Sequence, residues 1–519
     1  MHNRSFVRGA FILTIANVID RAIGFVFRII LSNLLGSEGT GIYQIALPIY
    51  FVAITFITSG ITAVTSRFVS EERAKGNRKN IFSIMEVSFF IVIFMGIVIS
   101  SIIFFNAKYI SDNLLHEPRA YLSILVFAPV LIIVSSSSIF KGFFQGLINM
   151  IPASVSEIVE QIVRVSLTLY LFSILTDIKL EYAAVIAVLG MAAGEVTSFL
   201  MYIFYYRREL SYIKEEMPDE GKIWDKLDIA KTLIKTSFPI TISRMIVNIL
   251  DLFESLIIPS RLIKSGLTHK EAISEFGKLS GMAYPLAYMP AVITMSLSVT
   301  VLPAVSEAAS LKKWDAVRLR INQAIGYTTM IAIPAIILFL TLPDEIASLL
   351  YPNSPGVGAL VKVIAAGSIF AYLESIVTSI LNGLGMQNIV LKNSVIWTVI
   401  SVIAMYVLIP IPNLRLFGYI YGFIFADILV FILNFKELVK VTGLTVDYNN
   451  WFFKPLISAL IMSIADTIMY FNLLMVISNK WIVMFITVSS GLALYLLVSY
   501  IIRLPYLNDL NKLIFSRSK

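Results

Sequence analysis

Apolar residues run along this chain in long blocks separated by short polar stretches. A helix of about 20 apolar residues crosses the hydrocarbon core of a bilayer. By that measure the blocks predict transmembrane helices at 8–33, 41–66, 81–105, 120–147, 151–175, 181–206, 232–259, 279–305, 319–342, 356–381, 389–411, 416–435, 452–474 and 480–503. The reading is an all-α integral membrane protein with 14 transmembrane helices. The longest polar interruption, 207–231, falls after the sixth block.

Basic residues orient these helices. With the N-terminus cytoplasmic, the inside segments hold 26 lysines and arginines and the outside loops 10. With those near block ends counted to the adjoining segment, the remaining five, Arg21, Arg28, Arg164, Lys235 and Arg244, are counted to neither side. The asymmetry predicts both termini cytoplasmic in a bacterial cell membrane. The first block is too long for a cleaved signal peptide, contains arginines and lacks a small-residue cleavage site.

The pattern also repeats. Val69-Ser70-Glu71 recurs as Val305-Ser306-Glu307, an offset of 236, and Gln145-Gly146-Leu147 as Asn382-Gly383-Leu384, an offset of 237. Both pairs stand at equivalent points of the predicted topology, which argues for duplication. Six spans per copy give two parallel six-helix lobes plus two C-terminal helices. The predicted domains are an N-terminal lobe at 1–206, a cytoplasmic interlobe linker at 207–231, a C-terminal lobe at 232–435, and two additional helices with a cytoplasmic tail at 436–519.

Polar positions inside the blocks carry the candidate chemistry. Thr14, Asn17, Arg21, Gly24, Arg28 and Ser32 recur at steps of three and four, so they share one face of the first helix, with Asp20 beside Arg21. A charge at mid-bilayer costs about 2.5–3.5 kcal/mol on insertion scales, so two arginines on one stripe require a wet or ion-paired interior. The seventh block carries a similar stripe, Ser237, Thr241, Arg244, Asn248, Asp251 and Ser255, with Glu254 next to it. Aligning Arg21 with Arg244 puts Arg28 opposite Asp251. In the fifth block Glu157, Glu160 and Arg164 share a face; either acid can pair with Arg164 so that the helix inserts, or the set can serve ion coupling. Single acids at Glu86, Glu195, Glu374, Asp427 and Asp466 are assigned no function.

Composition narrows the classes. Of 519 residues 58% are hydrophobic and 14% charged, against about 45–50% and 25% in soluble domains. Cysteine is absent, which excludes disulfides and thiolate metal sites, and the three histidines, His2, His116 and His269, lie at the terminus or in loops. No loop is large enough for a catalytic or nucleotide-binding domain and no phosphate-loop motif is present. The chain therefore reads as no enzyme, with no cofactor beyond a coupling cation, Na+ or H+. Its net charge of +8 fits inner loops facing anionic lipid, not nucleic acid.

The stretches RGAFILTIANVIDRAIGFVFRIILSNLLGSEGTGIYQIALPIY, ITAVTSRFVSEERAKGN and FKGFFQGLINMIPASVSEIVEQIVRVS together resemble the stage V sporulation protein B family of the multidrug/oligosaccharidyl-lipid/polysaccharide flippase superfamily. The resemblance runs over essentially the whole chain. It implies a MATE-like fold and export of a lipid-linked, pyrophosphate-bearing saccharide, as in the related lipid II flippases. Those relatives carry an arginine pair in the first helix and another arginine in the seventh, matched here by Arg21, Arg28 and Arg244. The first-helix spacing is one residue longer than in the lipid II flippase pattern, and their further arginine in the second span has no counterpart. On this reading the arginines bind pyrophosphate, while Asp20, Asp251 and Glu254 hold them in the empty site or bind a coupling cation. The partners are then the lipid-linked saccharide and membrane lipids. Two alternatives remain: a cation-coupled multidrug exporter, and a non-transporting scaffold that recruits wall-synthesis enzymes.

Overall fold

The computed structural model describes residues 6–175, 178–216 and 224–507. The side chains of Thr14 and Asn17, residues 217–223 of the predicted linker and the tail from 508 lie outside the described residues. Sixteen α-helices form among those described, and no strand does. Helix α1 (Phe6–Ala74) takes in the first two apolar blocks and breaks at Gly36. There φ is 66° and ψ −179°, a combination that only glycine enters without strain. The next five helices are α2 (Arg78–Tyr109), α3 (Tyr121–Gly146), α4 (Ile151–Ile174), α5 (Leu180–Glu216) and α6 (Lys226–Lys264). A short α7 (His269–Gly277) lies in what the apolar pattern reads as loop, because nine residues are too few to cross a bilayer. Then come α8 (Tyr284–Ala287), α9 (Ala291–Ser310), α10 (Trp314–Thr341), α11 (Pro343–Leu350), α12 (Val357–Gly383), α13 (Gln387–Val407), α14 (Leu416–Thr442), α15 (Lys454–Val476) and α16 (Lys480–Ile501).

The protein is all-α and multi-span. Eleven helical stretches among the described residues are long and apolar enough to cross a membrane, fewer than the apolar blocks predict, for two physical reasons. The first stretch, Val18–Ala74, holds 57 residues, about 86 Å of helix at 1.5 Å per residue, which exceeds one crossing. Helices α4 and α6 fall outside the eleven, and both carry charges within their apolar blocks. Outward faces are apolar, as lipid requires: Phe90, Phe94, Phe238, Phe425, Ile464 and Phe485 are all exposed.

Contacts divide the chain into two compact units: Met1–Ser260 with His269–Gly277, and Arg261–Thr268 with Lys278–Lys519. The division falls at Ser260, so α6 to that point counts with the first unit. In the first unit α3 packs on α1, α2 and α5, and α4 packs on α5 and α1. Phe140, Phe143, Phe144, Tyr202 and Tyr206 pack their rings there, with centroids 5.1–6.4 Å apart. The end of the predicted linker is pinned to this unit: the Trp224 amide donates to Asn80 Oδ1 at 3.0 Å, and Lys226 pairs with Glu86 at 2.6 Å. Lys75 lies 5.6 Å from the Trp224 ring, and its bond to Glu72 holds its ammonium above the usual lysine range. In the second unit α12 packs on α9, α10 and α14, and α15 on α10 and α16. Its core gathers Ile376, Ile380, Leu438, Trp451 and Tyr506.

The repeat is written in the backbone of both units. In the first, the Asn77 amide bonds the Glu72 carbonyl and the Gly76 amide that of Arg73; in the second, Lys313 bonds Ala308 and Lys312 bonds Ala309. Likewise Asn149 bonds Phe144 and Ile148 bonds Gln145, while Met386 bonds Leu381 and Gly385 bonds Asn382. All four are helix ends closed by the paired 6→1 and 5→2 bonds of the Schellman turn. The residue each turn needs at positive φ is Gly76 (71°) or Lys312 (55°), and Ile148 (56°) or Gly385 (79°). Just before the second turn, Gly146 presses on the Ser66 carbonyl and Gly383 on the Leu302 carbonyl, each within its own unit.

Candidate functional site

All nine residues singled out by sequence lie in the first unit. The stretch of α1 before Gly36 packs on α4, where a Cβ at Gly24 would stand 3.2 Å from Gln161 Nε2. This close approach brings the first stripe against the charged face of α4. Asp20 is half-buried and feels the charges of Glu157, Arg164, Arg21 and Lys141. Arg21 and Arg28 are exposed. Arg28 makes no hydrogen bond or ion pair among the described residues; its charge acts on Tyr43, as does that of Arg164.

On α4 the two acids take different partners. Glu160 pairs with Arg164 one turn on, at 2.6 Å, as an intrahelical pair should. Glu157 instead pairs with Lys141 of α3. Arg164 also faces Glu195 of α5 at 3.9 Å. Lys141 and Glu195 complete a network that sequence reasoning missed: each is a lone charge in its own apolar block, and its partners come from other helices. Four carboxylates, Asp20, Glu157, Glu160 and Glu195, therefore stand with three cations, Arg21, Lys141 and Arg164. Arg164 has only 23% of its side chain exposed, and its buried Nε makes no hydrogen bond.

The polar stripe of α6 faces the part of α1 beyond the kink. Gly60 admits the Ser237 carbonyl and the Thr241 hydroxyl at contact distance, which sets the two helices close. Asn248 Nδ2 donates to Thr55 Oγ1 at 2.6 Å. Arg244 Nη1 reaches the Ser59 carbonyl at 3.4 Å, and no carboxylate pairs with it among the described residues. Asp251 is exposed and Glu254 half-buried. The structure thus assembles two polar patches on α1, one before the kink and one after it.

The second unit has a polar cluster of its own. Glu374 Oε1 accepts from Asn434 Nδ2 and Thr378 Oγ1, each at 2.6 Å, and Asn434 Oδ1 accepts from Asn393. Asp427 accepts from Trp397 Nε1 at 2.7 Å. One buried oxygen on each acid makes no hydrogen bond.

Among solved structures, the chain is similar to an inward-facing multidrug resistance MATE family transporter of the MOP superfamily, at 13% identity and a TM-score of 0.66, over 82% of this chain and 95% of that one. It is similar to the lipid II flippase MurJ in its inward closed conformation at 15% identity and a TM-score of 0.69, over 95% and 98%. Apolar exposed faces, helices long enough to cross a bilayer and this likeness define a multi-pass membrane protein with the fold of those two proteins. The chain belongs to the polysaccharide biosynthesis protein family, whose model matches residues 6–309. Among curated proteins it is 29% identical to stage V sporulation protein B of Bacillus subtilis (strain 168) over 451 residues, 87% of each chain. The resemblance carried by the three quoted stretches holds.

Proposed function

We propose that this transporter flips an undecaprenyl-pyrophosphate-linked peptidoglycan precursor, or a related polysaccharide intermediate, across the bacterial membrane by alternating access, for cell wall or spore cortex synthesis. The likeness to stage V sporulation protein B and to a lipid II flippase supports that substrate class. One observation carries the reading: on two membrane helices of one unit, the exposed Arg28 and Arg244 have no carboxylate partner among the described residues. A guanidinium inside a membrane needs an anion, and a pyrophosphate offers pairs of oxygens that a planar guanidinium binds bidentately. Arg21, Arg28 and Arg244 bind it, while Asp20, Asp251 and Glu254 hold the arginines between cycles. Fourteen spans in two parallel lobes, with the 207–231 linker and both termini cytoplasmic, provide the frame. The lipid tail stays in the bilayer.

Coupling falls to the network of Glu157, Glu160 and Arg164 with Lys141 and Glu195. Its surplus of carboxylate over cation is where a proton or Na+ neutralises charge. The membrane potential supplies about 2.3 kcal/mol per charge per 100 mV. The test is translocation of a lipid II-type substrate in proteoliposomes. Arg21→Ala and Arg244→Ala should each slow transport about tenfold or more, the loss expected when a charged hydrogen bond worth about 1.5–3 kcal/mol is removed; undiminished transport by both sinks the arginine assignment. The same carboxylates favour a second reading, a cation-coupled multidrug exporter. Competition for the site by a cationic dye, and none by an anionic glycolipid, would select it.

A further inference from the structure

Helix α7 is the one piece of 261–283 that counts with the first unit, its flanks counting with the second. Its hold on α1 is local and specific. Ala272, Ile273 and Phe276 are buried, Gly277 sits against the Ser37 carbonyl and Gly41 against that of Ile273, and the Ser37 and Ser274 hydroxyls bond at 2.7 Å. All of this happens beside the Gly36 break. The N-terminal turn of α7 adds charge: Lys270 Nζ lies 3.4 Å from Glu38, and His269 reaches the turn before α3, where Glu117 is 1% exposed.

The ring of His269 is held in a way that fixes its protons. Its Nε2 stands 2.8 Å from the His116 carbonyl, an oxygen that only accepts, so Nε2 carries hydrogen. In the neutral ring Nδ1 is then a bare lone pair, and it faces Glu117 Oε2 at 3.8 Å. Two acceptors facing one another give nothing. A proton on Nδ1 turns the same contact into an ion pair. An imidazole is the side chain whose charge ordinarily changes between about pH 5 and 8. A cavity of about 620 Å³, lined also by Lys179 and Glu181, opens the ring to water and so to proton exchange.

We propose that α7 is a proton-sensitive clasp: protonation of His269 tightens its docking on the first unit through Glu117 in the turn before α3, which Arg119 ties to Glu38 of α1. The surroundings allow the added charge. Around the ring and its cavity stand the acids Glu38, Glu117 and Glu181 and the bases Arg119, Lys179 and Lys270, with His116 alongside and Glu271 two positions on in α7. Arg119 is already committed, bonding Glu117 from Nε at 2.7 Å and from Nη2 at 2.8 Å, and Glu38 from Nη1 at 2.6 Å. A guanidinium does not release its proton in this range, so Arg119 does not compete for the switch. The clasp is independent of what the transporter carries.

Backbone hydrogen exchange over 270–277 in the full chain in nanodiscs tests this, at pH 6 and pH 8 with intrinsic rates corrected. The wild type should be about two- to fivefold better protected at pH 6, the range expected of a partly exposed ion pair. His269→Gln should lose the difference, and His269→Lys, which keeps a charge, should hold the protected level at both pH values. His116→Gln should behave as wild type, because only its carbonyl is used. A wild type with equal protection at both pH values overturns the clasp, and so does a His269→Gln variant that keeps the difference.

Discussion

The two units close their helices alike and fill them differently. Four Schellman turns recur at offsets of 236 and 237, down to the backbone atoms that bond. Carried along at 237, that offset matches the charged set of the first unit to neutral residues in the second. Lys141, Glu157, Glu160, Arg164 and Glu195 correspond to Thr378, Ser394, Trp397, Ser401 and Ile432. The exchange runs the other way too: Glu374 and Asp427 correspond to Ser137 and Gly190. Gly190 has no room for any side chain, since a Cβ there would strike the Thr168 hydroxyl and the Arg164 carbonyl. At the matching place in the second unit, Asp427 takes the indole N–H of Trp397. The repeat thus preserves what backbone geometry demands and leaves the interior chemistry free, so charge placed in one unit has specialised it.

The sharpest way to break that comparison is Arg164→Ala against Ser401→Ala. Removing the guanidinium leaves Glu160 and Glu195, with 17% and 13% of their side chains exposed, without their arginine, a loss approaching that of a broken buried pair, about 3–5 kcal/mol. Ser401 is buried with an unbonded hydroxyl, and its loss should cost under about 1 kcal/mol. Thermal unfolding in detergent reads both. Adding Glu160→Gln to Arg164→Ala should restore part of the loss, because a neutral amide needs no counter-charge. Equal losses at 164 and 401 would mean that the charges contribute no more than the packing around them.

Much of this was legible in the residues and some of it was not. Apolar blocks located the membrane helices because burial in lipid is written locally, residue by residue. The Val-Ser-Glu and Gly-Leu echoes marked helix ends that close in the same turn, because turn geometry is local as well. The pairing of Glu157 was not legible: the cation on its own face, Arg164, stands two turns away and is taken by Glu160, and Lys141 arrives from α3 only through tertiary packing. Glu195 was passed over for the same reason. Helix α7 escaped because its signal is a nine-residue amphipathic turn in a polar loop, and its anchor, the Gly36 break, lies far away in sequence. The arginine stripes were visible as spacing, yet spacing did not tell that the first meets α4 while the second meets α1.

A second pair of substitutions sharpens the equivalence itself. A Cβ at Gly146 would lie 2.6 Å from the Ser66 carbonyl, and one at Gly383 2.8 Å from that of Leu302. Both distances force the backbone to move. Gly146→Ala and Gly383→Ala should each cost about 1–3 kcal/mol, as overpacking does, with the tighter Gly146 site losing more. A large loss at one site beside none at the other would show that the two contacts are not equivalent.

The smallest effect is the most specific to the matched turns, because their glycines are exchanged between the units. The first unit has glycine at residue 76 and isoleucine at 148; the second has lysine at 312 and glycine at 385. All four stand at positive φ, where a side chain costs about 1–2 kcal/mol. Glycine relieves that strain but loses about 0.5–1 kcal/mol of backbone freedom on folding. Ile148→Gly should therefore stabilise by a net of about 0.5–1 kcal/mol. Lys312→Gly should do so by less, since a β-branched residue is the worse fit to this conformation. Gly385→Ile, which copies the first unit's choice into the second, should reverse the gain by a similar amount. Thermal unfolding of the three variants measures the series. A destabilising Ile148→Gly would mean that the isoleucine side chain holds its turn by packing strong enough to outweigh the strain at its own backbone.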